Sequence, residues 1–205
     1  VLITGCNRGI GKTLVLKFLE KNANVICCVR KIDNQFKDFI DSIKKKKLKI
    51  IKVLEFDLED EKKMTEQIKS LYSEKINIDI LINNAGTPQG SILEMTSIST
   101  VKKIFEINFF SQIKIIQLLL RIMKKSKNAS IINIGSISGI KPARGNLSYG
   151  SSKAALMFAS QILSEELKNY NIRVNAFAPS ITETDMMEKI DKKAKEEMIK
   201  DTKLK

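Results

Sequence analysis

The chain has 205 residues, 43% of them hydrophobic, carries a net charge of +13 and contains no histidine. That content is enough for one buried core, and it excludes a collagen-like, disulfide-rich or disordered chain; no apolar run approaches the roughly 18 residues of a membrane span. Without histidine there is no Ser-His-Asp triad, Cys-His dyad or histidine-ligated zinc, so acid-base chemistry falls to Tyr, Lys, Asp or Glu, and no metal site is expected.

Val1 to Thr4 reads as a strand entered partway, without the basic flank and apolar region of a signal peptide. The run Thr4-Gly5-Cys6-Asn7-Arg8-Gly9-Ile10-Gly11 follows and leads into a helix marked by Leu14, Val15, Phe18 and Leu19. Glycines at such a strand-to-helix junction permit a tight turn and close approach of backbone N–H groups to a pyrophosphate, although the spacing is not G-x-G-x-x-G. Val25 to Val29 reads as the second strand. Its neighbours Cys27 and Cys28 should face opposite sides of the sheet, and with Cys6 they read as reduced core thiols in a cytoplasmic setting. An acidic residue after this strand would bind the adenosine 2'-hydroxyl of NAD, but Arg30-Lys31 stands there, with Arg8 in the glycine loop. Arg8 and Arg30 suit a 2'-phosphate, so NADP is expected; the alternative is a pair of surface arginines.

Ile32, Phe36, Phe39, Ile40 and Ile43 give a second helix, Lys44 to Lys47 a solvated turn, and Ile50 to Phe56 a third strand. Met64, Ile68, Leu71 and Tyr72 mark a third helix, and Ile78 to Ile82 a fourth strand. Two long helices are expected near Val101 to Met123 and Tyr149 to Lys168, around a strand at Ser130 to Ile134 and before a last one at Ile172 to Ala178. Alternating strands and helices predict an α/β, doubly wound (Rossmann) parallel sheet with helices on both faces, in a single domain over 1–205. Residues just past the strand ends are where a ligand should sit.

Tyr149 and Lys153 stand one helical turn apart and can face one site, and Ser136 follows the strand ending at Ile134. With these residues the chain resembles the short-chain dehydrogenase/reductase family. That family has a T-G-x-x-x-G-x-G loop, an N-N-A-G segment, a catalytic Ser and a Y-x-x-x-K pair; here Thr4 to Gly11, Asn83-Asn84-Ala85-Gly86, Ser136 and Tyr149 with Lys153 occur in the same order. The resemblance makes Tyr149 the acid that protonates a carbonyl oxygen as hydride reaches its carbon. It makes Lys153 the group that favours phenolate in the reverse reaction and holds the nicotinamide ribose, Ser136 the substrate-oxygen donor, and Asn108 the keeper of a relay water. A capping serine and a polar helix asparagine are the plain alternatives for Ser136 and Asn108.

The same resemblance implies cofactor contacts from Thr4, Gly5, Asn7, Arg8, Gly9, Ile10, Gly11, Arg30, Asp57, Leu58, Asn84, Ala85, Gly86, Tyr149, Lys153, Pro179, Thr182 and Thr184. Pro179-Ser180 replaces the family's P-G, and Ile181 to Glu188 is expected as a lid over substrate. The family continues with a helix, a seventh strand and a glycine-rich turn, so a domain truncated at both ends is expected, with cytoplasmic residence or an organelle lumen if a targeting segment has been removed. The runs Asn7 to Gly11, Ile134-Gly135-Ser136 and Ile181 to Met186 look most like 3-oxoacyl-carrier-protein reductases of fatty acid biosynthesis.

NADPH-dependent reduction of a ketone, either a carrier-protein thioester or another small ketone or sugar, is therefore the expected activity. A non-catalytic NADP-binding sensor or scaffold is the alternative of another class. The lysines are scattered and lack aromatic interleaving, so no nucleic-acid partner is expected. The two long helices resemble those that pair subunits in the family, and the resemblance implies a homodimer or homotetramer.

Overall fold

The computed structural model describes residues 1–180. Strands β1 (Leu2–Thr4), β2 (Val25–Val29), β3 (Ile50–Glu55), β4 (Ile80–Asn83), β5 (Ala129–Ile134) and β6 (Ile172–Phe177) form one sheet in the order β3-β2-β1-β4-β5-β6. Every neighbouring pair is parallel. The chain builds outward from β1 to β3 and then returns to place β4 on the other side of β1. That reversal opens a crevice at the carboxyl ends of β1 and β4, the topological switch point at which doubly wound sheets bind ligands.

Helices α1 (Gly9–Glu20) and α2 (Asn34–Lys45) cover one face of the sheet. There Val15, Leu19, Phe36, Phe39 and Ile43 pack with Ile3, Val25, Cys27, Val29 and Ile82. Helices α3 (Glu61–Ser73) and α5 (Ser111–Met123) cover the other face, where Met64, Ile68, Ile115 and Leu119 meet Leu2, Cys28, Leu81 and Ile131. Cys27 and Cys28 thus enter opposite cores, as alternation along a strand requires, and all three cysteines are free thiols. A parallel strand covered on both faces must be apolar throughout, which is why every residue of the Val-Ile-Cys-Cys-Val run in β2 is buried.

Side-chain caps start three helices: Asp33 accepts from the Phe36 N–H of α2, Asp60 from the Lys63 N–H of α3, and Ser97 from the Thr100 N–H of α4 (Ile98–Phe105). Helix α1 differs. Its N-cap is Arg8, which makes no side-chain cap bond, and no acidic residue stands in its first turn. Helix α6 (Leu147–Leu167) packs beside α4 and β6.

One expected element is corrected. The long helix at Val101 to Met123 is instead α4, a π-helical turn at Glu106–Phe110, and α5. The wide turn has tertiary partners that a pattern of apolar spacing does not reveal: the Ser111 hydroxyl donates to the carbonyls of Glu106 (2.8 Å) and Leu58 (2.6 Å). Among the described residues no helix is long and apolar enough to cross a membrane, and no cluster of side chains suits a metal ion.

Candidate active site

The loop after β1 is held from both sides. The Gly5 and Cys6 N–H groups both donate to the Cys28 carbonyl, at 2.9 and 3.3 Å, and Asn7 Nδ2 donates to the Lys31 carbonyl at 3.0 Å. Gly5 has φ +72, a region that costs a side-chain-bearing residue energy. Gly11 answers a different demand: a Cβ there would stand 2.2 Å from the Gly5 carbonyl oxygen and 2.5 Å from Asn84 Nδ2. Helix α1 can begin tightly against the loop only because that atom is absent. Its first N–H groups, uncapped by Arg8, are then presented at the crevice where they can bind an anion.

Thr4 ties this loop to the neighbouring strand end. Its hydroxyl accepts the N–H groups of Asn84 (3.0 Å) and Ala85 (2.9 Å), and Asn84 Nδ2 donates back to the Thr4 carbonyl at 2.9 Å and the Gly5 carbonyl at 3.3 Å. Asn84 is therefore engaged in holding two loops together. Asp57 is likewise engaged locally, its Oδ1 accepting the Glu59 N–H at 3.0 Å, while the Leu58 carbonyl accepts from Ser111. Thr182 and Thr184, and the segment expected as a lid, lie outside the described residues.

Arg8 and Arg30 are exposed, and neither forms an ion pair among the described residues. The carboxylate next to them in the sheet is Glu55, paired in register with Val29; its Oε2 accepts the Ile32 N–H at 3.1 Å. Uncapped N–H groups, a glycine loop with no room for a Cβ and two free guanidinium groups are a donor set that fits a dinucleotide carrying an extra phosphate.

Beyond β5 the chain places Ser136, φ −165, at the head of a short 3-10 turn, where its hydroxyl accepts the Ser138 N–H at 3.2 Å. The capping and catalytic readings of this residue are compatible, since its hydroxyl also lies close enough to the Tyr149 phenol to favour phenolate. Burial works against that and dominates, raising the phenol above its ordinary value of 10.0. Pro179 is pinned beside this turn, its carbonyl accepting the Ile137 N–H at 3.0 Å.

Lys153, one turn along α6 from Tyr149, is only 4% exposed. Its Nζ donates to the Ile134 carbonyl at 2.7 Å, and burial lowers its proton affinity to about 8. The ammonium is directed to that carbonyl, and the groups that move the phenol's proton affinity are burial and Ser136. Asn108 sits on the π-helical turn, fully buried, and is clamped: its Oδ1 accepts the Thr87 N–H at 2.8 Å while its Nδ2 donates to the Thr87 carbonyl at 3.0 Å and to Ser152 Oγ at 3.1 Å. A Cβ on Gly86 would lie 3.2 Å from both Asn108 Oδ1 and Lys153 Nζ, so the N-N-A-G turn, the asparagine and the ammonium meet at one point.

Thr87 and Ser152 were not among the expected site residues, because single hydroxyl or backbone partners carry no sequence signal. Two open recesses of about 560 and 570 Å³, both lined by Lys127, Asn128 and Arg173, lie at the opposite, amino-terminal edge of the sheet and include none of these residues.

The chain matches the family model "short chain dehydrogenase" over residues 1–195. It is 31% identical over 198 residues to the 3-oxoacyl-[acyl-carrier-protein] reductase FabG of Thermotoga maritima, covering 95% of this chain and 78% of that protein. It is 34% identical over 190 residues to the rhamnolipids biosynthesis 3-oxoacyl-[acyl-carrier-protein] reductase of Pseudomonas aeruginosa, covering 87% and 70%. Among solved structures, the Pseudomonas aeruginosa RhlG/NADP active-site complex superposes with a TM-score of 0.84 at 33% identity, covering 94% of this chain and 77% of that one. A 4-hydroxyisoleucine dehydrogenase complexed with NADH and succinate gives 0.83 at 28% identity, covering 98% and 82%. With a switch-point crevice, a glycine loop beneath an uncapped helix, and Ser136, Tyr149 and Lys153 beside it, the chain belongs to the short-chain dehydrogenase family.

Proposed function

We propose that this protein is an NADPH-dependent reductase that converts a ketone to a secondary alcohol, with a 3-oxoacyl thioester on acyl carrier protein as the substrate. The observation that carries the reading is the buried Lys153 Nζ meeting Gly86 and Asn108 one turn along α6 from the half-buried Tyr149. Arg8 and Arg30 favour the 2'-phosphate of NADPH over the bare ribose of NADH. The similarity to carrier-protein reductases from two bacteria supports the thioester and a cytoplasmic place of action, and the charge of +13 suits an acidic carrier.

The nicotinamide, when bound, supplies the hydride. The protein supplies the rest. The Tyr149 phenol is protonated at neutral pH, burial raising it above an already high ordinary value, so it arrives carrying the proton it gives to the substrate's carbonyl oxygen, and the Ser136 hydroxyl donates to the same oxygen. The Lys153 ammonium, protonated below about pH 8 and directed to the Ile134 carbonyl, stands where it can orient groups bound beside Gly86. Asn108 fixes the Thr87 backbone and with it the wall next to Lys153. Exposed Phe110, Phe158 and Ile162 on the π-helical turn and α6 support assembly into a homodimer or homotetramer through these elements.

A second reading, reduction of another small ketone, is favoured by the likeness to 4-hydroxyisoleucine dehydrogenase. NADPH consumption with acetoacetyl thioesters and a ketone panel separates the two. Tyr149→Phe should abolish turnover and leave NADPH binding within about twofold, and Arg30→Ala should erase the preference for NADPH over NADH. Binding without turnover on every substrate would convert the assignment to a sensor.

A further inference from the structure

Gln112 is fully buried on α5, and its side-chain nitrogen donates to two backbone carbonyls: Ile107 at 2.9 Å and Ala85 at 3.2 Å. Ile107 immediately precedes Asn108 in the π-helical turn, and Ala85 immediately precedes Gly86 in the N-N-A-G segment. One amide thus joins the two backbone stretches whose side chains and glycine meet Lys153. Its orientation is not interchangeable. Turning the amide over would set an oxygen against two carbonyl oxygens, so the nitrogen must face them. The cost is visible on the other side, where Gln112 Oε1 is buried with no hydrogen-bond partner in the protein. An apolar side chain would avoid that unpaired acceptor but would leave both carbonyls without their donor.

We propose that Gln112 is the positioning residue of this site: it locks the π-helical turn to the N-N-A-G segment and so sets where Asn108 stands relative to Lys153. The inference rests on the proposed reductase reading, in which Asn108 fixes the wall next to Lys153. Three independent contacts converge on the same turn. Ser111 holds the Glu106 carbonyl, Gln112 holds that of Ile107, and Asn108 then holds both backbone groups of Thr87. Of these, the Gln112 amide alone reaches the N-N-A-G segment directly.

The test compares wild type, Gln112→Met, Gln112→Glu, Asn108→Ala and the Gln112→Met/Asn108→Ala pair, all in the full chain, by thermal melting, kcat and KM for NADPH, and amide hydrogen exchange of Thr87. Gln112→Met keeps the volume and removes both donated bonds. It is expected to lower kcat by about ten- to a hundredfold, to change KM little, and to speed Thr87 exchange at least tenfold, since the bond to Asn108 loosens. On the Asn108→Ala background the same change should lower kcat less than twofold, because both act through one group.

Gln112→Glu, its buried carboxyl held protonated between two carbonyls, keeps one donor and should fall between wild type and Met, worsening as pH rises. That variant decides the matter if the methionine protein does not fold. Unchanged Thr87 exchange, unchanged kcat, or equal losses on both backgrounds overturn the proposal. A wild type that turns over no substrate would defeat the reductase reading instead, while exchange at Thr87 would still report whether Gln112 holds the turn.

Discussion

Lys153 brings an ammonium group into a setting where little water reaches it, and the Ile134 carbonyl alone does not replace the lost hydration. Its proton affinity falls from 10.5 to about 8 in consequence. The unfolded chain therefore binds a proton that the folded chain has released between those two values, and stability rises as pH increases across that interval. Below pH 8 the burial costs about 3 kcal/mol. Lys153→Met should accordingly be more stable than wild type at pH 7 by up to about that amount, with the gap closing toward pH 10.5. Urea denaturation at pH 7 and pH 10 measures it, and a gap independent of pH would contradict the assigned cause. Tyr149 moves in the opposite direction, its neutral form being favoured by burial, so the two groups enter the site as a protonated acid and a readily discharged cation.

At the scale of elements, the candidate site is built on two departures from regular helix. The start of α1 lacks a side-chain cap, where α2, α3 and α4 each have one, and its free N–H groups face the switch point. Gly11 makes that start possible. Gly11→Ala would put a methyl group against the Gly5 carbonyl, and an overpacked contact of this kind costs about 1–3 kcal/mol. Its main effect should be on binding: NADPH affinity, read by quenching of cofactor fluorescence, should drop by about tenfold or more while the far-ultraviolet spectrum stays that of wild type. Retained affinity would mean the loop does not approach the cofactor. The π-helical turn is the second departure, and it carries Asn108 to Thr87 and Ser152.

For the whole molecule, exposed large apolar side chains occur from Ile32 to Phe177, and three of them stand on neighbouring helical elements. Phe110 (53% exposed), Phe158 (64%) and Ile162 (46%) lie on the π-helical turn and α6, which neighbour each other in the fold. Charging that surface should prevent self-association: Phe158→Glu is expected to sediment as a monomer where wild type sediments as a dimer or tetramer, at unchanged secondary structure. A monomeric wild type would refute the assembly. The recesses at the amino ends of β4 to β6 include none of the candidate catalytic side chains.

The sequence by itself determined the order of strands and helices, because parallel strands buried on both faces must be continuous apolar runs and amphipathic helices must repeat at helical spacing. Val25 to Val29 is matched residue for residue, and β1, β3, β5 and β6 within a residue or so at their ends. The residues alone offered a glycine junction between strand and helix and two side chains one helical turn apart; the family resemblance marked Ser136, Tyr149 and Lys153 as a set. Only the tertiary structure decided that the Val101 to Met123 pattern breaks at a π-helical turn, that Asn84 binds loop to loop, and that Gln112 joins both halves of the site. Each of those depends on hydrogen bonds between groups far apart in the chain, and apolar periodicity carries no information about them. The direction of the Lys153 ammonium and its weakened hold on a proton belong to the same class, being set by burial under β5 and not by the residues beside it in sequence.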